Sequence, residues 1–221
     1  MDKVSIRINK YLALKKISTR KGADELVKKK KVFINGKLAV LGSQVNENDK
    51  VEVKGVEKKE YLYFAYNKPT DVETNSPKKD LFPLGRLDKN SHGLIILTND
   101  GRITDQLLNP KFSHEKEYLV KTKEKLRSSF KQKMEAGVNI EGYVTKKCAV
   151  KIINENTFKV ILTEGKKHQI RRMCANLFQE VADLKRERIM NIKLGSLKSG
   201  AFREIKGEEL VVFLDKVLKQ A

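Results

Sequence analysis

The chain has 221 residues, 39% hydrophobic and 34% charged, enough to bury one large core or two small ones beneath an extensive solvated surface. Lys and Arg number 47 against 28 Asp and Glu, a formal charge of +19 with basic excess on both sides of residue 60, and such a surface favours a nucleic-acid partner held by salt-dependent phosphate contacts. No apolar run approaches the roughly 20 residues of a bilayer span, the charged start lacks the apolar stretch of a signal peptide, and two cysteines cannot build a disulfide framework, so a reduced cytoplasmic setting is expected.

Residues 1–54 read as a small α/β unit of their own. Ile6, Ile8, Tyr11, Leu12 and Ile17 punctuate a basic stretch and predict a first helix. Ser18 or Thr19 caps a second, because either hydroxyl can accept a free backbone N–H at a helix start. That helix turns Ala23, Leu26 and Val27 inward and runs into Lys28-Lys29-Lys30-Lys31, a run that reads as a solvated face. Short strands follow at 32–34, 38–40 and 50–53, with Asn35-Gly36 as a hairpin turn, since both residues tolerate positive φ. Residues 55–60 (GVEKKE) form a charged linker.

Beyond it, residues 61–221 predict strands at 61–66, 93–98, 117–120, 144–153 and 158–162. Helices are expected at 103–108, 126–136, 169–178 and 208–219. The third places Ile170, Met173, Cys174 and Leu177 on one face; the last aligns Leu210, Leu214, Val217 and Leu218. Strands with irregularly interspersed helices make this an α+β domain.

Phosphate-binding P-loops, G-x-G-x-x-G, H-E-x-x-H and G-x-S-x-G are absent, which withdraws support from nucleotide hydrolysis, dinucleotide redox and serine-hydrolase chemistry. His92, His114 and His168 are widely separated and lack metal-site spacing; no metal is expected. Two segments are informative. In Gly85-Arg86-Leu87-Asp88, a loop between apolar strands presents Arg86 and Asp88 two residues apart, on one side of an extended backbone. A turn aspartate or a local ion pair satisfies that pattern equally well. In Thr163-Glu164-Gly165-Lys166-Lys167-His168-Gln169-Ile170-Arg171-Arg172, basic side chains crowd a helix start, against the macrodipole preference, as a phosphate ligand would require. Arg171 can instead reach a carboxylate, and Glu164 reads as a turn residue only.

The stretch RINKYLALKKISTRKGADELVKKKKVFINGKLA resembles the S4 RNA-binding module, with lysine where that family has glycine at one of positions 30 or 31. The segments GRLDKNSHGLIILTNDG, HEKEYLV and EGKKHQIRRM resemble, in order, three motifs of the RsuA-type pseudouridine synthases, and the tail RRMCANLFQEVADLKRERIMNIKLGSL is most similar to their RluF branch. After Asn67-Lys68-Pro69 the family has a glycine within two residues, where this chain has Thr70-Asp71.

The resemblance implies a mixed, mainly antiparallel catalytic sheet following the S4 domain, and isomerisation of uridine in 23S ribosomal RNA without a cofactor. It implies Asp88 as the catalytic aspartate, Tyr118 as the residue stacking on the target base, and Arg171 as the basic partner of the aspartate. RNA contact is implied for Arg7, Lys10, Arg20 and Lys21 in the first unit. In the second it is implied for Arg86, Leu87, Lys89, Lys166, Lys167, Gln169 and Arg172. Without the motif, Tyr118 reads as a core aromatic. The alternatives are a sister-branch synthase acting on 16S rRNA or tRNA, and a non-catalytic RNA-binding or ribosome-assembly protein. A monomer is expected.

Overall fold

A computed structural model describes residues 5–15, 17–46, 48–55 and 60–218. The chain divides into two compact units, Met1–Tyr61 with Asp100–Arg102, and Leu62–Asn99 with Ile103–Ala221. Positions 56–59 of the expected linker and residue 219 of the expected last helix lie outside the described residues.

The first unit contains β1 (Ile6–Arg7), α1 (Ile8–Leu14), α2 (Arg20–Lys28), β2 (Val32–Ile34), β3 (Lys37–Leu38), β4 (Gln44–Val45) and β5 (Val51–Val53). The first helix is shorter than expected. It closes where the Ile17 and Ser18 amides turn back to the Leu12 carbonyl, leaving Ile17 exposed. Thr19, not Ser18, caps α2: its Oγ1 accepts the Gly22 amide at 3.0 Å. The Asn35-Gly36 turn has φ of 50° and 76° and joins β2 to β3 in the antiparallel sheet β3-β2-β5, while β1 pairs separately with β4. Ile8, Leu12, Ala23, Val27, Val32, Ala39 and Val45 form the core. Lys30 takes φ of 56° as α2 turns into β2, so the lysine adopts the left-handed conformation for which glycine is suited.

The second unit contains β6 (Tyr63–Lys68), β7 (Phe82–Leu84), β8 (His92–Thr98), α3 (Thr104–Leu108), β9 (Lys116–Thr122), α4 (Phe130–Ala136), β10 (Asn139–Ile140) and β11 (Tyr143–Val144). These are followed by β12 (Ala149–Asn154), β13 (Thr157–Leu162), α5 (Gln169–Asn176), β14 (Val181–Ile189), β15 (Ile192–Lys193), β16 (Phe202–Glu204) and α6 (Gly207–Leu218). The main sheet runs β12-β13-β9-β14-β8-β6-β16, with β15 beside β14 and β7 beside β8. Only the β14–β8 pairing is parallel, which makes the sheet mixed and mainly antiparallel and the fold α+β, as expected.

One face of the sheet is covered by α4 and α5. Phe130, Met134, Ile170, Met173 and Cys174 pack there with Val120, Val150, Phe158, Val160 and Leu162. Phe130 and Phe158 meet edge to face at 4.8 Å, and burying each such ring contributes about 2–3 kcal/mol. The buried residues of α6 are Phe213 and Val217; the other apolar positions of the expected stripe are half-buried.

The strand expected over 144–153 is two strands, β11 and β12, and the helix expected over 126–136 starts only at Phe130. The nine-residue β14 was not expected at all. Asp183, Lys185, Arg186, Glu187 and Arg188 occupy it, and register shifts at Val181/Asp183 and Arg186/Arg188 break the two-residue period. β7, β15 and β16 also escaped the sequence reading.

Candidate active site

A cavity of about 750 Å³ opens in the second unit. One wall is the loop between β7 and β8, which carries Arg86, Leu87, Asp88 and Lys89. Three cations from three other elements hold this loop by its backbone. Lys68, at the end of β6 and fully buried, donates to the carbonyls of Pro69 (2.8 Å), Val72 (2.6 Å) and Lys89 (3.2 Å). Burial lowers its pKa, opposed by the charges of Glu73, Asp71 and Asp88. Arg171 on α5 donates to the Asn90 carbonyl at 3.0 Å and the Ser91 hydroxyl at 3.3 Å. Arg186 on β14 donates to the Leu94 carbonyl at 2.7 Å and the Arg86 carbonyl at 3.4 Å. Asp71, the second of the two residues Thr70-Asp71 among which the resembled family has a glycine, adopts φ of 62°, which an aspartate tolerates, and its amide also reaches the Lys89 carbonyl.

The expected Arg171–Asp88 ion pair is absent. Arg171 faces the far end of the loop and the Val181 carbonyl (3.2 Å), because β14, unseen in the sequence, runs past that end of the helix. The group beside the Asp88 carboxylate is His168, whose Nε2 lies 3.3 Å from Oδ1. His168 sits at φ of 52° immediately before α5.

The cavity floor comes from β9 and β14. Lys116 and Tyr118 project from one side of β9, and Tyr118 is the cross-strand neighbour of Arg186. Gly93, at φ of 105°, brings β8 against β14 here: a Cβ at this position would lie 2.4 Å from the Arg186 carbonyl oxygen. Arg186 is 3% exposed and its Nη2 has no hydrogen-bond partner among the described residues, while burial and the Arg186 charge push the Lys116 ammonium down to about 8.

Glu164 is more than a turn residue. Its buried carboxylate accepts from the Tyr143 hydroxyl, the Lys146 amide (3.0 Å) and the Gln169 amide nitrogen (2.8 Å), tying the β10–β11 hairpin to the start of α5. Hydrogen bonding to Glu164 raises the Tyr143 pKa. Lys166 lies over the Tyr143 ring at 4.4 Å, and both Lys166 and Lys167 are exposed on the cavity rim.

Four expectations change. Gln169 is buried, committed to Glu164 and the Lys166 amide, so it does not present its amide to RNA. Arg172 pairs with Glu141 at 2.6 Å and donates to the Ile140 and Lys167 carbonyls, away from the cavity lining. Leu87 is buried in the apolar cluster, so its role is in the cavity wall. Arg171 is the fourth.

Arg86 and Lys89 are exposed at the cavity. In the first unit, Arg7, Lys10 and Arg20 line one depression together with Asn9 and Gln44, while Lys21 is exposed on α2 outside it. His92 pairs with Asp183 at 2.9 Å, and His114 is buried with its Nε2 unpartnered. Burial pushes the thiols of Cys148 to about 11 and Cys174 to about 12, so both stay protonated and unreactive. Among the described residues no three His, Cys, Asp or Glu side chains converge as a metal site would require.

Sequence reasoning missed Lys68, Lys116, Glu164, His168 and Arg186. Only Lys116 left a signal, its two-residue spacing from Tyr118 in the KEYLV strand.

Comparison with known proteins gives the family. The family model described as RNA pseudouridylate synthase matches residues 49–176, and that of the S4 domain matches residues 6–51. The chain is 39% identical to the dual-specificity RNA pseudouridine synthase RluF of Escherichia coli K12, over 94% of this chain and 78% of the relative. It is 32% identical to the ribosomal large subunit pseudouridine synthase B of Bacillus subtilis 168, over 92% and 93%. A crystal structure of a pseudouridylate synthase superposes with a TM-score of 0.70 at 26% identity, covering 96% of this chain and all of that one. The chain is a member of the RNA pseudouridine synthase family that carries an N-terminal S4 domain.

Proposed function

We propose that this synthase isomerises uridine in 23S ribosomal RNA, with Asp88 as the catalytic carboxylate and Tyr118 as the stacking platform. The carrying observation is that Asp88 and Tyr118, thirty residues apart in the chain, line one cavity together with the buried Arg186, the cross-strand neighbour of Tyr118. The large-subunit substrate in the name of the Bacillus relative supports the choice of 23S, and the dual specificity in the name of the E. coli relative calls for testing other RNAs, 16S and tRNA, beside it. Residues 1–54 are read as the RNA-binding module, 55–60 as its tether and 61–221 as the catalytic domain, working as a cytoplasmic monomer.

Isomerisation breaks N1–C1′, turns the base and joins C5 to C1′, with no net redox change and no group transfer. Extruding the uridine costs a few kcal/mol. Stacking on Tyr118 returns about 1–3 kcal/mol, and phosphate contacts by exposed Arg86, Lys89, Lys166 and Lys167, with Arg7, Lys10, Arg20 and Lys21 of the first unit, offset the rest. Asp88 then either attacks C1′ or takes the 2′ proton.

Tritium release from RNA labelled at uridine C5 tests this, because joining C5 to the sugar expels that hydrogen. Wild type should release tritium from 23S transcripts and Asp88→Ala should not, with RNA affinity retained. Release from 16S or tRNA transcripts in place of 23S would move the substrate to a sister branch. Tight binding without release from any of the three would leave an RNA-binding protein.

A further inference from the structure

We propose that Lys116 is a further catalytic residue, whose ammonium carries the negative charge that uracil acquires when its bond to C1′ breaks. The inference rests on the reading of the cavity given above. Lys116 and Tyr118 alternate along β9 with one residue between them, so their Cα atoms are about 6.8 Å apart on the same face. A lysine side chain is long enough to cover that distance, so an ammonium released from the His114 carbonyl can turn to the edge of a base lying on the Tyr118 ring.

The surroundings of Lys116 are built for an anion that is not part of the protein. Its Nζ makes a single long hydrogen bond, to the His114 carbonyl at 3.3 Å. No carboxylate pairs with it among the described residues. Arg186, across the sheet, donates only to carbonyls and has its Nη2 buried without a partner. Two neighbouring desolvated cations, neither paired with a carboxylate among the described residues, are unfavourable in the empty protein, and an arriving anion reverses that cost. The lowered Lys116 pKa, with burial as the larger cause and Arg186 the second, is the same strain seen in another form.

The chemistry supplies such an anion at one moment. When N1–C1′ breaks, both electrons leave with the base, giving a uracil monoanion delocalised over N1, O2 and O4. The deficiency at C1′ is met by a bond to an Asp88 oxygen, or by loss of the 2′ proton to that carboxylate. In either route Lys116 donates a hydrogen bond to a carbonyl oxygen of the anion and keeps its proton. After the ring turns, C5 bonds to C1′ as the bond from C1′ to the Asp88 oxygen breaks, or as the 2′ proton returns from that carboxylate; the C5 proton then passes to water and N1 takes one proton up. Because the charge develops only as the bond breaks, Lys116 lowers the barrier more than it strengthens RNA binding.

The titratable and charged groups that line the cavity with Lys116 are Arg186 from β14, Arg86, Asp88 and Lys89 from the β7–β8 loop, Glu73 from the segment after β6, Glu164, Lys166, Lys167 and His168 from the segment after β13, and Tyr118 on its own strand; the His114 carbonyl accepts from its ammonium. The test is single-turnover tritium release from 23S, 16S and tRNA transcripts between pH 6.5 and 9.5, for wild type, Lys116→Met and Lys116→Arg. RNA retention on filters and a thermal melt accompany each protein. Lys116→Met should lose about 10²-fold or more in rate with RNA affinity within a factor of two. Lys116→Arg should keep most of the rate and lose the decline that wild type shows as pH rises through about 8. A folded Lys116→Met with the wild-type rate overturns the role of Lys116 alone, as does a wild-type rate that stays level from pH 7 to 9. No release by wild type from any of these RNAs overturns the reaction itself and this role with it.

Discussion

If Lys116 is held charged for a ligand, then removing that charge should stabilise the empty protein. The unfolded chain titrates this lysine near 10.5, whereas the folded protein does so at about 8. Between those two pH values the unfolded state binds the extra proton, so stability rises with pH there and the full penalty applies below about 8. That separation corresponds to about 3 kcal/mol against the folded state at neutral pH. Lys116→Met keeps the length and most of the volume of the side chain and gives up only the long bond to the His114 carbonyl. At pH 7 it should therefore be more stable than wild type by about 2–3 kcal/mol, and the difference should shrink toward zero by pH 10.5. Urea unfolding of both proteins at half-unit steps from pH 6.5 to 10.5 measures it. The comparison with wild type cancels the other lysines and tyrosines that titrate at the upper end. A Lys116→Met protein that is less stable than wild type, by an amount independent of pH, would refute the reasoning.

Other perturbations probe the frame around the cavity. Gly93→Ala places a methyl group 2.4 Å from the Arg186 carbonyl oxygen at a φ of 105°, so it should cost about 3 kcal/mol or more in urea unfolding. It should also abolish tritium release, because the backbone carrying Arg186 must move. Lys68→Met leaves the Pro69, Val72 and Lys89 carbonyls without their shared donor and should cost about 2–4 kcal/mol; a midpoint within 0.5 kcal/mol of wild type would show that water replaces the ammonium. Replacing Arg7, Lys10 and Arg20 together by Ala should flatten the plot of log affinity against log salt by about 2–3, near 0.7–0.9 for each lost phosphate contact. An unchanged slope would take that depression out of the RNA interface.

What the sequence revealed was what short-range chemistry dictates. The Asn35-Gly36 hairpin, the hydroxyl cap before α2 and the apolar face of α5 each depend on residues within a turn or two of one another, and each is found in place. β14 was invisible because its buried position 186 is an arginine and two register shifts defeat its alternation. With that strand went the floor of the cavity, and the resemblance alone supplied Arg171 as the basic partner of Asp88. The same blindness hid Glu164, whose three partners lie up to 21 residues away along the chain. Departures from family glycines were legible as departures only; the backbone shows Asp71 and Lys30 in the left-handed conformation themselves.

The way Asp88 is held bears on how it would work. A direct arginine–aspartate pair would fix the carboxylate through two flexible side chains and occupy the oxygens that the sugar needs. Here Lys68, Arg171 and Arg186 instead donate to the carbonyls of residues 89, 90 and 86, on both sides of Asp88, at 3.2, 3.0 and 3.4 Å. These charge-assisted bonds immobilise the backbone and bring three positive charges around the loop while leaving the carboxylate itself to a single neighbour, the half-exposed His168. Loss of any one of the three therefore acts on the position of Asp88 as well as on the charge around it. Position matters steeply in a reaction that needs a carboxylate oxygen within contact distance of C1′ or the 2′ hydrogen, where a displacement of about 1 Å can cost 10²-fold in rate. The basic residues of this fold thus fall into two groups: exposed ones that the proposed function assigns to phosphate, and buried or half-buried ones that hold the loop carrying Asp88.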